Sequence, residues 1–185
     1  MSARFTIDGS DKLEQHLAAT CTHVRAGVER SVPAGKLEGL ALAGGYGRGE
    51  GGVLRENGQD LPCNDMEFFV FIRGSTLIND RLFKAALHQL GESLSHAVGL
   101  EVEFKILSTT RLSRSPVSMF YHDLVMGHRW IIGGDNLVAG CEHPRDASRI
   151  PLHDATRLLF NRCSGLLFAK DRRAQDDFIA HTTTV

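Results

Sequence analysis

Seven consecutive residues, Met66 to Ile72, read MEFFVFI, and Glu67 is the one polar side chain among them. Successive side chains of a strand leave opposite faces. An apolar run without alternation therefore suits a strand buried on both sides. A chain built around such a strand has to cover both faces of its sheet, and the neighbouring segments can do so. Leu13, Leu17, Cys21, Val24 and Val28 recur at three- and four-residue steps, which predicts an amphipathic helix over residues 11–32 with Ser10 as N-cap. Leu82, Phe83, Ala86, Leu87, Leu90, Leu94 and Val98 form a second stripe within 79–99, and Gly99 suits the position just past the helix end.

Residues 100–107, LEVEFKIL, alternate strictly. Leu100, Val102, Phe104 and Ile106 share one face of the predicted strand, and Glu101, Glu103 and Lys105 share the other. LEGLALAG, 37–44, reads as a short strand that runs into a glycine loop. A third helix is expected within 115–127, with Pro116 near its start, then a short strand over 128–134. Pro144 and Pro151 bracket a loop, 152–170 reads as a further amphipathic helix, and 171–181 is expected to continue it. This order predicts the α/β (α+β) class: a mixed β-sheet flanked by helices, with a short C-terminal helical part. The expected division is 1–143 for the sheet domain and 144–185 for the helical segment.

Composition narrows the function. Lys and Arg total 21 against 22 for Asp and Glu, so no general nucleic-acid binder held by a basic surface is expected. The four cysteines stand far apart with no Cys-x-x-Cys pair, which points to reduced thiols and a cytoplasmic setting. The polar start, MSARFTIDGSDKLEQ, contains no long apolar stretch, so neither a signal peptide nor a membrane span is expected. The nine histidines form no His-x-x-x-His pair that would suggest zinc.

Chemistry concentrates between residues 44 and 67. Seven glycines fall within 44–58, and Asp65 and Glu67 follow, one residue apart, at the start of the apolar run. Two carboxylates on one strand face repel unless a cation answers them. Mg²⁺ prefers hard oxygen ligands and is often held by one or two carboxylates together with substrate phosphates. Residues 100–107 offer a third acid, Glu101 or Glu103. The glycines allow backbone to approach a phosphate closely, and successive N–H groups can cradle the anion. The loop is not a Walker A motif, because it lacks the Gly-Lys-Ser/Thr ending.

These residues, LALAGGYGRGEGG followed by CNDMEFFVF, resemble the signature of the polymerase-β-like nucleotidyltransferase superfamily, in its small-molecule and minimal forms. The resemblance covers about residues 37–107 and includes the Gly47, Arg48, Gly49, Glu50 continuation. It implies that Gly44 and Gly45 form the phosphate-binding turn and that Asp65, Glu67 and a third acid are both catalytic and metal-binding. Glu103 is the choice for that acid, because Val102 and Phe104 flank it in mid-strand; Glu101 is the alternative. Tyr46, Arg48 and Lys105 complete the expected nucleotide contacts, Tyr46 against a base and the two cations against phosphate. For Tyr46 the other reading is packing of the loop, and for Arg48 it is an anchor to Glu50 or to a carbonyl. The sequence departs from the pattern at Gly45, where Ser is common, at Asn64, and at Glu67, where Asp is the commoner acid.

The implied activity is Mg²⁺-dependent transfer of a nucleoside monophosphate from a nucleoside triphosphate, ATP first among them, to a hydroxyl acceptor on a small molecule or a protein. The alternative is a nucleotidyltransferase-like domain that no longer catalyses and serves as a binding or regulatory module. A homodimer would supply the cleft wall that the short C-terminal part leaves out.

Overall fold

The structure, a computed structural model, describes residues 4–174. Of the expected continuation over 171–181, the part from 175 onward lies outside the described residues. The apolar run is strand β4 (Met66–Ile72), and it lies inside a four-stranded sheet. The order across the sheet is β5 (Val102–Leu107), β4, β1 (Leu37–Leu42), β6 (Arg129–Ile132). β4 runs antiparallel to β1 and parallel to β5, and β1 runs antiparallel to β6. The parallel pair follows from its connection: a helix crosses between β4 and β5, as parallel neighbours require. The expected mixed sheet with helices packed against it is what the chain forms.

Both faces of β4 are covered, as its composition demands. Met66, Phe68, Val70 and Ile72 join Leu40, Leu42 and Val102 beneath α1 (Asp11–Ser31) and α3 (Thr76–Val98). Leu13, Leu17, Cys21, Val24 and Val28 are the buried stripe of α1, and Phe83 and Leu87 are buried on α3. The Ser10 side chain accepts from the Leu13 N–H, and Gly99, at φ 67°, closes α3. The opposite sheet face buries Ala41, Phe69, Phe71 and Leu107 against Leu112 of α4 (Thr109–Ser113), Leu124 and Val125 of α5 (Met119–Met126), and Val138 and Cys141.

Two expectations change. The glycine loop opens as a short helix, α2 (Gly44–Arg48), which stops at Gly49 with φ 82°. The rest of the loop is a hairpin, β2 (Gly52–Glu56) and β3 (Gln59–Cys63), turned by Asn57 and Gly58 at φ 51° and 73°. Two successive positive φ values are what a tight hairpin turn of matching twist needs. The helix expected within 115–127 begins only after Pro116, as α5, and a separate short helix, α4, precedes that proline. The last helix, α6 (Leu152–Ala174), takes in the first four residues of the expected continuation over 171–181. Among the described residues, no helix is long and apolar enough to cross a membrane.

Candidate active site

Strand pairing assembles the acids. In the parallel register Glu67 lies beside Glu103, and Phe69 lies beside Lys105. Side chains alternate along both strands, so Glu67 and Glu103 share a sheet face with Phe69, Phe71 and Leu107. Asp65 stands one residue before β4. The chain enters it through Asn64 at φ 74°, a conformation that asparagine tolerates better than most side chains. One carboxylate oxygen each from Asp65, Glu67 and Glu103 lie within 4.8 Å of one another, and all three residues are half-buried. Among the described residues, this is the one such cluster of potential metal-binding side chains. Glu101 is exposed and precedes β5; its backbone carbonyl accepts the Met66 N–H at 2.8 Å. Of the two candidates for the third acid, register therefore places Glu103 in the cluster.

Lys105 is drawn to the same point. Its ammonium donates to Glu67 and lies 3.7 Å from a Glu103 carboxylate oxygen. Burial opposes its charge, but the carboxylates of Glu67, Glu103 and Asp65 outweigh that and hold its pKa above the usual lysine value. The rings of Phe69 and Phe120 have their centres 5.9 and 6.0 Å from Nζ, within cation–π range. Three carboxylates with one ammonium leave a net negative, oxygen-rich, half-buried site. Its donor chemistry fits a hard divalent cation such as Mg²⁺.

The start of α2 forms the adjoining wall. The Ala43 N–H donates to the Glu67 backbone carbonyl at 2.9 Å. Gly44 has φ 63°, and a Cβ there would sit 3.2 Å from Glu67 Oε2. The first N–H groups of a helix have no partner within it, so the turn at Gly44 and Gly45 presents backbone donors next to the acids. Gly47 allows α2 to fold back on the end of β1: a Cβ there would meet the Leu42 carbonyl oxygen at 2.5 Å.

Two of the expected nucleotide contacts are placed differently. Tyr46 is 1% exposed. Its hydroxyl lies 3.0 and 2.8 Å from the carbonyl oxygens of Gly52 and Cys63, and it accepts the Cys63 N–H at 3.0 Å. Desolvation of the phenol raises its pKa. The ring has no free face for a base, and its work is to pin the hairpin to α2. Arg48 donates through Nε to Glu50 at 2.9 Å, the anchoring arrangement rather than the phosphate one. One aromatic was not anticipated. Phe120 is 47% exposed and packs on Phe69 with ring centres 5.6 Å apart. No local pattern marks it, because it reaches the site only through the placement of α5.

Two clefts border one another at residues 99–101. One, of about 990 Å³, lies between α1, the hairpin and the entry to β5, with Asp65 and Glu101 on its wall. The other, of about 860 Å³, lies between α3 and β5, with Glu103 and Lys105 on its wall.

No protein-family model matches the sequence, and no curated protein matches it. Several solved structures are similar at low identity. One is a toxin–antitoxin with AMP-PNP, at 14% identity and TM-score 0.43, covering 85% of this chain and 95% of that one. A mutant of the toxin–antitoxin MntA-HpeT has 15% identity and TM-score 0.44, with 85% and 95% covered. A tri-AMPylated Shewanella oneidensis HEPN toxin in complex with MNT antitoxin has 14% identity and TM-score 0.40, with 86% and 95% covered. Likeness at this level does not assign an activity to the chain.

Proposed function

We propose that the chain is a Mg²⁺-dependent nucleotidyltransferase that moves a nucleoside monophosphate from a triphosphate, ATP first, to a hydroxyl acceptor on a small molecule or a protein. The observation that carries this reading is the trio Asp65, Glu67 and Glu103, with carboxylate oxygens within 4.8 Å beside the glycine turn of α2. A divalent cation held by the trio would supply charge neutralisation on the phosphoryl oxygens. The backbone N–H groups at Gly44 and Gly45 hold the phosphates, and Lys105 offsets their charge. Glu103, in mid-strand, accepts or orients the proton of the acceptor hydroxyl. The sheet domain over 1–143 carries this chemistry in our reading, and 144–185 is the helical segment.

Calorimetry with ATP, GTP, CTP and UTP, with and without Mg²⁺, tests the proposal. Metal-dependent binding that disappears in the Asp65→Asn, Glu67→Gln double variant is the expected result. Binding indifferent to both metal and those changes would rule the mechanism out.

The second reading is a binding or regulatory module without catalysis. The contact of Lys105 with Glu67 favours it, since an internal cation already answers one of the acids. That module binds no nucleotide, or binds it without metal.

A further inference from the structure

We infer that Lys105 is the resident cation of the acid cluster, and that the divalent metal enters only together with a triphosphate that takes Lys105 over. The inference rests on the metal-binding reading above and adds an order of binding to it. Lys105 is two residues from Glu103 on the same strand face, and its ammonium contacts Glu67 and stands 3.7 Å from Glu103. Two of the three carboxylates that would hold a metal are therefore already answered. The rings of Phe69 and Phe120 have their centres 5.9 and 6.0 Å from the ammonium.

A metal arriving alone meets a fixed positive charge at the oxygens it needs, and like charges at that separation repel. The lysine has to leave Glu67, and without a new anion it leaves for nothing. A triphosphate changes that balance. It brings phosphate oxygens beside the same strand face, and the flexible lysine stem lets the ammonium turn to them. Glu67 and Glu103 are then free for the metal. Metal and nucleotide favour each other's binding by the same factor, because such coupling is reciprocal. Lys105 is a positioning residue in this scheme: it sets when the metal loads, and no bond is made or broken by it.

Calorimetric titration with Mn²⁺, alone and with AMP-PNP present, reads this directly in the full chain. In the unaltered protein Mn²⁺ alone binds weakly, and AMP-PNP tightens it by roughly tenfold, within the usual range for coupled sites. In Lys105→Met, Mn²⁺ alone binds about tenfold tighter than in the unaltered protein, and the gain from AMP-PNP falls away. Lys105→Arg keeps the charge, so Mn²⁺ alone binds no more tightly than in the unaltered protein. Thermal unfolding checks the fold of each variant, and Mn²⁺ raises the Tm of Lys105→Met more than that of the parent. Equal affinity of the parent and Lys105→Met for Mn²⁺ alone, lost in Asp65→Asn, overturns the inference and leaves the metal site standing. Tightening in Lys105→Arg equal to that in Lys105→Met also overturns it, because charge is then not the cause. No Mn²⁺ binding in any protein, with or without AMP-PNP, overturns both the inference and the metal-binding reading.

Discussion

Glu67 places a carboxylate in a strand that is otherwise apolar, and such a charge is tolerated only where other groups answer it. The third acid is decided by its neighbour across the parallel register, which is Glu103, while Glu101 stays in solvent. Glu103→Gln should therefore weaken metal-dependent triphosphate binding by roughly tenfold or more, the effect of losing a charged contact, and Glu101→Gln should leave it unchanged. Calorimetry on the two variants side by side checks this; the reverse ranking would move the site to Glu101. Tyr46 makes a different kind of contribution. Tyr46→Phe strips the Cys63 N–H and one of the two nearby carbonyls, of Gly52 or Cys63, of its partner inside a packed region. Chemical denaturation should show a loss of about 1–3 kcal/mol. Cys21 gives a pH signature. Burial pushes its thiol up to about 12, slightly offset by Arg129. The unfolded chain, with a thiol near 8.5, ionises first. The stability this burial contributes is whole below about pH 8.5 and is lost as pH rises towards the folded pKa. Between pH 8 and pH 10.5 the parent should lose about 2–3 kcal/mol more than Cys21→Val, at about 1.4 kcal/mol per unit. Urea denaturation of both proteins at the two pH values measures the difference.

Elements with a periodic pattern were legible, and those made by contact were not. The stripes of α1 and α3, the apolar run of β4 and the alternation of β5 each follow from local burial, and the sheet face of Glu103 and Lys105 came with that alternation. The sequence GGYGR of α2 contains three glycines, poor helix formers, so nothing local announces a helix; the packing of Tyr46 and the close approach of Gly47 to Leu42 create it. The hairpin was readable in principle. Asn57-Gly58 is a strong turn signal between two short runs, but the glycines around it resemble a loop. The Lys105–Glu67 contact depends on which strand pairs with β4 and in which direction, and no spacing within one strand states that. Gly47→Ala tests the element itself. Its Cβ would lie 2.5 Å from the Leu42 carbonyl oxygen and 3.0 Å from its carbon, both backbone atoms that cannot swing aside. α2 must shift from the end of β1, at about 1–3 kcal/mol for overpacking. The same shift moves the Gly44 turn away from Glu67, so triphosphate binding should fall together with stability. Denaturation and calorimetry on this variant read the two effects. A loss of stability with binding intact would separate α2 from the phosphate site.

At the scale of the whole molecule, the sheet with α1 and α3 is a closed core, whereas most of the described side chains of α6 are exposed. Leu159, Phe160 and Leu167 of α6 are 64%, 68% and 68% exposed, while Asp154 and Ala169 are buried. Asp154 ties the helix to the body by accepting the Met119 N–H at 2.9 Å. The hydrophobic effect scales with the apolar area removed from water, so these exposed side chains contribute little to the stability of the chain by itself. Contiguous apolar surface of this kind promotes association instead. Leu159→Lys combined with Leu167→Lys should therefore change unfolding free energy by less than about 0.5 kcal/mol, the usual range for exposed positions. It should also lower the binding of an apolar dye and the tendency to self-associate. Leu17→Ala in α1, where the side chain is fully buried, should cost about 2–5 kcal/mol in the same assay. The contrast separates two arrangements of the chain in solution. If the two lysines destabilise it as much as the α1 truncation does, then α6 folds against the body and the core extends to it. If only the α1 change matters, the body is complete without the apolar face of α6, which leaves that face free to change without loss of the sheet that holds Asp65, Glu67 and Glu103.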